Sequence, residues 1–292
     1  MRFLDYFTGN QPVISFEIYP PQTQGGMRAL KARVIPNLLK LNPSYMTVTY
    51  GAGGSTRAKT LEIASLIQNE FGLTAACHLT CVGSSRTDID DILKAIRTEG
   101  IRNIVALRGD PPRGEDTFVP AKDGFAYGNE LVAHIRSTEP KDDGFGLAVA
   151  GYPEKHLEAP DFDTDIENLK RKVESGGDII ITQLFYNNDY FFRFVDRVRA
   201  ANITAPVVPG LMPILAAGQI QRIASLCGSE IPEDLQDQLK GAVDDEDKAM
   251  RIGIDQCIGQ ATELLEQGVP GIHFYVLNKS IHMRRIISAL PL

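Results

Sequence analysis

The strongest constraint on the fold is an alternation of short apolar runs with helical patterns along almost the whole chain of 292 residues. The runs are rich in β-branched and aromatic residues and the links are short, which predicts a parallel sheet covered by helices. Eight such runs in a chain of this length favour a (β/α)₈ TIM barrel over an open doubly wound sheet. The strands are predicted at residues 13–19, 45–50, 74–80, 103–110, 146–152, 178–186, 206–213 and 271–278.

The same pattern predicts a single domain over residues 1–292, with an acidic helical insertion at residues 231–267 before the last strand. One earlier helix is predicted to begin with a capping box formed by Thr164 and Glu167. A doubly wound sheet would carry a glycine-rich dinucleotide motif, but "YGAGGSTR" is neither GxGxxG nor a Walker loop. We interpret this segment as a tight turn with Ser55 or Thr56 as the helix N-cap, and leave open a ligand near it.

Composition narrows the possible partners. The net charge of −7 argues against a general nucleic-acid surface. No apolar run approaches the roughly 20 residues of a membrane span, and "MRFLDYFTGN" does not resemble a signal peptide. The four cysteines are too few for a disulfide framework and predict a reduced, cytoplasmic protein. Cys77, His78 and Cys81 have metal-ligand residue types, but strand alternation separates both cysteines from His78, so we expect no metal site.

Glu17 is the residue of the first predicted strand whose burial most needs an explanation, because burying a carboxylate without a partner costs free energy. Side chains alternate between the two faces of a strand. The apolar side chains at positions 14, 16 and 18 suit packing against helices. The opposite face, which carries Ser15, Glu17 and Tyr19, is therefore predicted to point at the barrel axis.

Polar residues recur late in several strands, where the carboxyl ends of barrel strands form one rim that carries the active site in this fold. On the fourth strand, alternation places Ala106 and Arg108 on the axis-facing side. Taken singly, His78 is better explained as a hydrogen-bonded core histidine, and a structural pair of Arg108 with Asp110 is an open alternative. As a group, the side chains predicted to converge on one pocket are those of Glu17, Thr49, His78, Arg108, Asp110, Tyr152 and Gln183.

The helix after the fifth predicted strand carries polar residues on one side. Asp165, Asn168, Arg171 and Lys172 recur at helical spacing. Such a face is usually solvated. The alternative is a binding site for an anionic ligand, in which Arg171 and Lys172 contact phosphate.

Nine motifs in order along the chain resemble those of bacterial methylenetetrahydrofolate reductases. They are "SFEIYPP", "VTYGAGG", "HLTC", "ALRGDPP", "VAGYPEKH", "LKRKVESGGD", "ITQLFY", "PGLMPI" and "HFYVLN". The resemblance implies an FAD-dependent barrel in which NADH or NADPH reduces the flavin at N5. Methylenetetrahydrofolate then takes the hydride and becomes 5-methyltetrahydrofolate, which feeds methionine synthesis. It also implies a homo-oligomer and no C-terminal regulatory domain.

The resemblance assigns roles to individual residues. Glu17 matches a glutamate proposed as the general acid for folate N10, and its apolar setting is expected to raise its pKa. Asp110 matches a catalytic aspartate beside the flavin pyrimidine ring. Substrate contacts are implied for Glu17, Thr49, Asp110, Gln183, Gln219 and Lys279. Flavin contacts are implied for Thr49, Tyr50, Ala52, His78, Leu107, Arg108, Gly109, Asp110, Tyr127, Ala150, Tyr152, His156, Asp165, Asn168, Arg171 and Lys172.

Two positions depart from the family pattern. Lys279 stands where many relatives have an arginine that contacts folate, so a bidentate contact is lost. Ala217 stands where some relatives place an aromatic residue against the ligand. Two alternative functions stay open: another FAD barrel oxidoreductase resembling proline dehydrogenase, and a non-redox folate-binding barrel. The presence of Glu17 and Gln183 argues against the first.

Overall fold

The computed structural model describes residues 1–50, 57–111, 114–115, 117–140 and 143–292, apart from the side chain of Gln219. Within these residues, parallel strands close into a barrel in chain order, which confirms the predicted (β/α)₈ fold. Seven strands end one to three residues earlier than predicted, and β3 ends at residue 80 as predicted. They are β1 (Val13–Ile18), β2 (Tyr45–Val48), β3 (Ala75–Thr80), β4 (Asn103–Leu107), β5 (Gly146–Gly151), β6 (Ile179–Leu184), β7 (Val207–Leu211) and β8 (Gly271–Tyr275).

The helices cover the outside of the barrel, and α10 and α11 form the predicted insertion before β8. The start of α7 differs from the prediction: Asp161, not Thr164, is the N-cap, and its carboxylate accepts the Thr164 N–H at 2.7 Å. The helices are α1 (Phe3–Tyr6), α2 (Gln24–Ala29), α3 (Ile35–Leu39), α4 (Arg57–Ser65), α5 (Arg86–Thr98), α6 (Gly128–Thr138), α7 (Phe162–Glu174), α8 (Asn188–Ala200), α9 (Ala217–Cys227), α10 (Glu233–Lys240), α11 (Glu246–Glu266) and α12 (Ser280–Ala289).

Helix α1 lies against the amino end of the barrel. Phe3 is fully buried, and its ring centre lies 5.1 Å from that of Tyr45, the first residue of β2. Tyr6 packs on the same ring at 5.5 Å and donates a hydrogen bond to Thr74. These aromatic side chains belong to the apolar cluster along the barrel axis. The amino end is therefore packed with apolar side chains, and the polar groups lie towards the opposite rim.

The orientation of β4 differs from the prediction. Val105 pairs with His78 of β3 and with Ala148 of β5, and residues paired in a parallel sheet point to the same face. Val105 therefore faces the axis, whereas Ala106 packs in the helix-facing core. Placing Ala106 and Arg108 on the axis-facing side was wrong. Both faces of a barrel strand are apolar, so alternation within one strand carries no direction, and Arg108 lies beyond the strand end.

The loops after β1 and β8 are joined at the rim. Asn278 donates from Nδ2 to the Tyr19 carbonyl at 2.8 Å and accepts the Tyr19 N–H at Oδ1 at 3.1 Å. Leu277 and Asn278 both have left-handed φ values, 48° and 56°, which turn the chain sharply after β8. Tyr19 is 43% exposed. The prediction that it shares the axis-facing side of Glu17 was wrong, because alternation stops where β1 ends.

No helix in the described part of the chain combines the length and the apolar composition needed to cross a lipid bilayer.

Candidate active site

The carboxylate of Glu17 lies near the carboxyl end of β1, and side chains from three other strands meet one of its oxygens. Oε2 accepts a hydrogen bond from Thr47 Oγ1 at 3.2 Å and lies 3.3 Å from His273 Nε2. His78 Nε2 approaches the same oxygen at 3.0 Å without an aligned hydrogen bond. The Glu17 side chain is 15% exposed. The structure thus brings Glu17 together with His78 and with two residues outside the predicted group.

His273 is fully buried and connects Glu17 to a second polar residue deeper in the barrel. Its Nδ1 lies 2.8 Å from the hydroxyl oxygen of Ser15, which is also fully buried. The ring of Tyr275 packs edge-on against His273, and the Tyr275 hydroxyl donates to the Thr182 carbonyl at 2.7 Å. The Tyr275 hydroxyl proton is therefore directed at the backbone of β6 and not at Glu17.

The proton affinity of Glu17 differs from the expectation. Burial does raise the pKa of Glu17, as expected. The charge of His78 and the hydrogen bond from His273 act in the opposite direction and outweigh burial, so the net pKa lies below the ordinary value of a glutamate. The expected rise was wrong because apolar composition alone did not reveal that donors converge on this carboxylate.

Arg108 lies at the rim after β4 and is paired with a residue that the sequence pattern did not single out. Its Nη1 and Nη2 contact the two carboxylate oxygens of Glu158 at 2.5 and 2.6 Å. The guanidinium also lies 5.1 Å from the centre of the Phe118 ring. The hydrogen bonds from Arg108 hold the pKa of Glu158 below its ordinary value. This bidentate pair joins the β4 and β5 loops.

Lys172 points from α7 towards the end of β5. Its ammonium donates to the Ala150 carbonyl at 2.5 Å and lies 5.4 Å from the centre of the Tyr152 ring. Burial lowers the pKa of Lys172 to about 8, although the negative charge of Asp165 opposes the change. The Tyr152 ring packs edge-on against His156 at 4.7 Å, and Asp165 accepts the His156 N–H at 3.3 Å. A cation, a carboxylate and two rings thus meet at one point of the rim.

The predicted polar face of α7 divides into two parts. Asp165 is buried and Lys172 is partly buried, whereas Asn168 and Arg171 are exposed. Arg171 Nε lies 3.5 Å from Glu167 Oε1, one turn back along the same helix. Lys172 therefore contacts the end of β5, and Asp165 contacts the loop that follows it.

The segment after β4 is built around a glycine. Gly109 has φ of 87°, and a Cβ there would lie 2.7 Å from the Val82 side chain, so this position suits only glycine.

Asp110 is exposed. Burial raises the pKa of Tyr152, and the charges of Asp165 and then Asp110 add to the increase. Tyr127, at the start of α6, is 61% exposed.

The other predicted contacts lie around the same rim but engage local partners. The N–H of Thr49 donates to the Ile18 carbonyl at 2.9 Å, and the Tyr50 hydroxyl accepts from Arg57 at 2.8 Å. Leu107 ends β4 and packs on the axis cluster. Gln183 accepts the N–H of the next residue through its side-chain oxygen at 2.9 Å.

Lys279 is exposed, and its backbone N–H donates to the Val276 carbonyl at 2.8 Å. Ala217 begins α9 and packs on an apolar cluster formed by residues near the ends of β6 and β7, by α9 and by the insertion. Ala52, Ser55 and Thr56 lie outside the described residues, as does the side chain of Gln219.

Three residues of the site were missed as a group by the sequence analysis. Ser15 and His273 lie on axis-facing sides of strands that alternation had identified, so a signal for them existed. Their contact required the pairing of β1 with β8, which no pattern within one strand supplies. Glu158 follows its strand by several residues in a loop, where sequence periodicity carries no information.

The family model and the relatives that match this chain carry the same name. The family model described as methylenetetrahydrofolate reductase matches residues 2–291. Methylenetetrahydrofolate reductase (NADH) 1 of Arabidopsis thaliana is 41% identical over 92% of this chain and 46% of its own length. The Zea mays protein of the same name is 38% identical over 95% of this chain and 48% of its length. The chain spans about half the length of the curated relatives it matches.

Solved structures with the same fold are more distant in sequence. An uncharacterized protein from Clostridium thermocellum, described as binding two copies of 5-methyl-5,6,7,8-tetrahydrofolic acid, has a TM-score of 0.65 at 14% identity, covering 99% of this chain and 97% of that one. An oxaloacetate acetylhydrolase has a TM-score of 0.52 at 10% identity, covering 97% and 82%. At this level of identity the likeness concerns the barrel fold alone.

Proposed function

The chain belongs to the methylenetetrahydrofolate reductase family, and we propose that it reduces 5,10-methylenetetrahydrofolate to 5-methyltetrahydrofolate with a reduced nicotinamide. The observation that carries the proposal is the family match across residues 2–291. NADH is the favoured reductant, because the names of both plant relatives specify it.

Glu17 is the proposed proton donor to the folate. Opening the five-membered ring of the substrate requires a proton on the departing nitrogen, N10, and leaves an electrophilic carbon that accepts hydride. Glu17 lies at the rim where barrel enzymes bind substrate, and its side chain is 15% exposed. Because the surrounding groups hold the pKa of Glu17 below its ordinary value, its carboxyl group is ionised at neutral pH and has to take up a proton before it can act as the acid.

The rim residues also fit the FAD that the family implies. Lys172 offers a cation for phosphate and Tyr127 an exposed ring for stacking, while Gly109 leaves the backbone after β4 free of a side chain. Arg108 adds a guanidinium whose present partner, Glu158, is 55% exposed. When bound, FAD supplies hydride transfer between a nicotinamide and a second substrate. Asp110 would add a fixed negative charge near the substrate, which stabilises the developing cation.

The test follows the two half-reactions separately. The purified protein is expected to bind FAD and to lose the oxidised flavin absorbance when NADH is added without oxygen. Adding methylenetetrahydrofolate should restore that absorbance. A protein that binds FAD but reoxidises only with another acceptor would support a different barrel oxidoreductase. A protein that binds folate without FAD would support a non-redox function, and either result would refute the proposal.

A further inference from the structure

The segment of residues 228–230, which joins α9 to α10, lies against the loops after β5 and β6. Gly228 ends α9 in the left-handed conformation, and a Cβ there would lie 2.6 Å from the Leu157 side chain in the loop after β5. Ser229 donates its hydroxyl proton to the Leu184 carbonyl, at the end of β6, at 2.7 Å. These contacts attach the insertion to the rim of the barrel.

Glu230 makes the remaining contacts of this segment and brings two carboxyl groups together. Its backbone N–H donates to Glu154 Oε1 at 2.6 Å. Its own carboxylate accepts a hydrogen bond from the hydroxyl of Tyr190, in the first turn of α8. Glu154 Oε2 and the Tyr186 hydroxyl are both buried, and neither has a hydrogen-bond partner among the described residues. The attachment therefore contains a carboxyl oxygen that lacks a donor.

We propose that the contact between Glu154 and residues 228–230 is a pH-sensitive switch: the protonated carboxyl group holds the segment against the rim, and its ionisation releases the segment. The inference concerns how the α9–α10 insertion is attached to the barrel. It does not depend on the proposed function, so either can fail without the other.

The protonated form of Glu154 suits the attached segment. A protonated carboxyl group has one hydroxyl donor and an oxygen that can still accept. Oε1 then accepts the Glu230 N–H, and a proton on Oε2 gives that buried oxygen a hydrogen to donate. The unpartnered Tyr186 hydroxyl is a candidate acceptor. Burial raises the pKa of Tyr186, and the charges of Cys227, Cys257 and Glu154 add to the increase, so Glu154 lies close enough to affect it.

The ionised form of Glu154 does not suit the attached segment. When the proton passes to solvent, Oε2 becomes part of a buried anion without a donor and faces the carboxylate of Glu230. Burial and the charge of Glu230 raise the pKa of Glu154 to about 7, although the Glu230 N–H opposes the change. In water a glutamate ionises at lower pH, so ionisation favours the released state, in which Glu154 is solvated.

The groups around Glu154 do not offset its negative charge. Among the described residues Glu154 forms no ion pair. In its own loop, the Lys155 ammonium donates to the carbonyls of His156 and Ala159, at 3.0 and 2.5 Å. On α8, the Arg193 guanidinium lies 4.8 Å from the centre of the Tyr190 ring.

The remaining titratable groups that face Glu154 are acidic or neutral. They are Glu230 in the segment itself, Tyr190 on α8, and Tyr186 after β6 with Cys227 beside it. The Tyr190 hydroxyl is already directed at Glu230. Loss of the proton therefore adds a negative charge to a cluster that has no free cation among these neighbours.

The test is hydrogen–deuterium exchange of the purified chain at pH 6 and pH 8, read by mass spectrometry on peptides that cover residues 228–231. Dividing each rate by the intrinsic rate at the same pH gives the opening equilibrium. Because Glu154 ionises near pH 7, opening in the parent should be about five- to tenfold larger at pH 8 than at pH 6. Glu154→Gln cannot ionise and should open equally at both. Equal pH dependence in the two proteins would overturn the inference.

Two further variants separate the switch from the general charge of the insertion. Glu230→Gln keeps the backbone N–H but removes the opposing charge, so opening should depend less on pH than in the parent. Glu233→Gln removes an exposed carboxylate in the first turn of α10 that has no contact with Glu154 among the described residues, and it should behave as the parent. Loss of the pH dependence in Glu233→Gln, or full retention in Glu230→Gln, would overturn the inference.

A second measurement uses a thiol at the end of α9. Cys227 is partly buried, whereas Cys77, Cys81 and Cys257 are buried. The rate at which a thiol reagent labels Cys227 is compared in the parent and in Glu154→Gln at the same pH, so that the ionisation of the thiol affects both equally. The ratio of the parent rate to the Glu154→Gln rate should be several-fold larger at pH 8 than at pH 6. A ratio that is the same at both pH values would overturn the inference.

Discussion

Two glutamates of the rim, Glu17 on β1 and Glu154 after β5, respond to burial in opposite ways. Donors from three strands meet Glu17 and hold its pKa below the ordinary value. Glu154 accepts only the backbone N–H of Glu230, at 2.6 Å, and its Oε2 is buried without a partner in the described structure. Burial, together with the charge of Glu230, raises the pKa of Glu154 to about 7. Partners, and not depth, decide whether a buried carboxyl group is ionised.

The largest expected effect comes from removing the ionisable group at the first site. Glu17→Gln should slow folate reduction by about 10² to 10⁴, the range for a lost general acid. Flavin reduction by NADH should be unchanged, because that step needs no proton from Glu17. Single-turnover absorbance measurements check both steps. Glu154→Gln is the matched control and should retain both rates; folate reduction by Glu17→Gln within tenfold of the parent would mean that another group supplies the proton.

Lys172 extends the comparison to a buried cation. Burial lowers its pKa to about 8, so the ammonium is charged below that pH and loses its charge above it. FAD affinity should therefore fall as pH rises through about 8. Lys172→Met should weaken FAD roughly tenfold at pH 7, the cost of about one charge-assisted hydrogen bond, and remove that pH dependence.

Titration of flavin fluorescence measures these affinities. Lys170→Met removes a neighbouring cation of α7 that lies 4.0 Å from Glu174, and it should keep the parental affinity. An unchanged FAD dissociation constant in Lys172→Met would remove this residue from the cofactor site.

A smaller effect is expected from His78, because its contact with Glu17 is close but not aligned. His78→Gln removes the imidazole whose positive charge, when the ring is protonated, lowers the pKa of Glu17. Glu17 should therefore titrate at higher pH than in the parent, because its carboxylate loses a stabilising charge. Titration of a ¹³C label at the glutamate carboxyl carbons, with the Glu17 signal identified by its loss in Glu17→Gln, checks this. A titration that moves to lower pH would contradict the direction of the electrostatic effect.

The smallest effect concerns the second glutamate. Its pKa in the folded chain, about 7, exceeds the ordinary value of 4.5, so stability decreases as pH rises between these values and stays lower above pH 7. Glu154→Gln should raise the melting temperature by about 1–2 °C at pH 8 and leave it unchanged at pH 4. Differential scanning calorimetry measures both. Glu62→Gln, at an exposed position of α4, is the control, and equal shifts at both pH values would contradict the assignment.

Much of the fold could be predicted from the sequence because period and length are local properties. The strand candidates and the α10–α11 insertion were found in this way. The residues of β4 that face the barrel axis were not identified correctly. Val105 and Ala106 are both apolar, and only the pairing of β4 with its neighbouring strands shows which of them faces the axis. The start of α7 was placed too late because Asp161 caps it before the apolar pattern begins.

The candidate site was predictable in part for the same reason. Alternation pointed Glu17 inward, but its proton affinity depends on His273, which is 256 residues away in the chain. The pairing of Arg108 with Glu158 likewise depends on how two loops meet. Contacts made between distant segments leave no local pattern, so only the folded chain shows them.

The closure of the barrel between β1 and β8 has a consequence for the order of folding. Ser15 and His273 are separated by 258 positions, so their contact closes a very long loop and carries a high entropic cost. A chain that has assembled β1 to β7 already has Thr47 and His78 beside Glu17, yet it lacks the imidazole that completes the cluster. A chain in which β1 and β8 have not yet paired therefore carries Glu17 without the donor that His273 supplies.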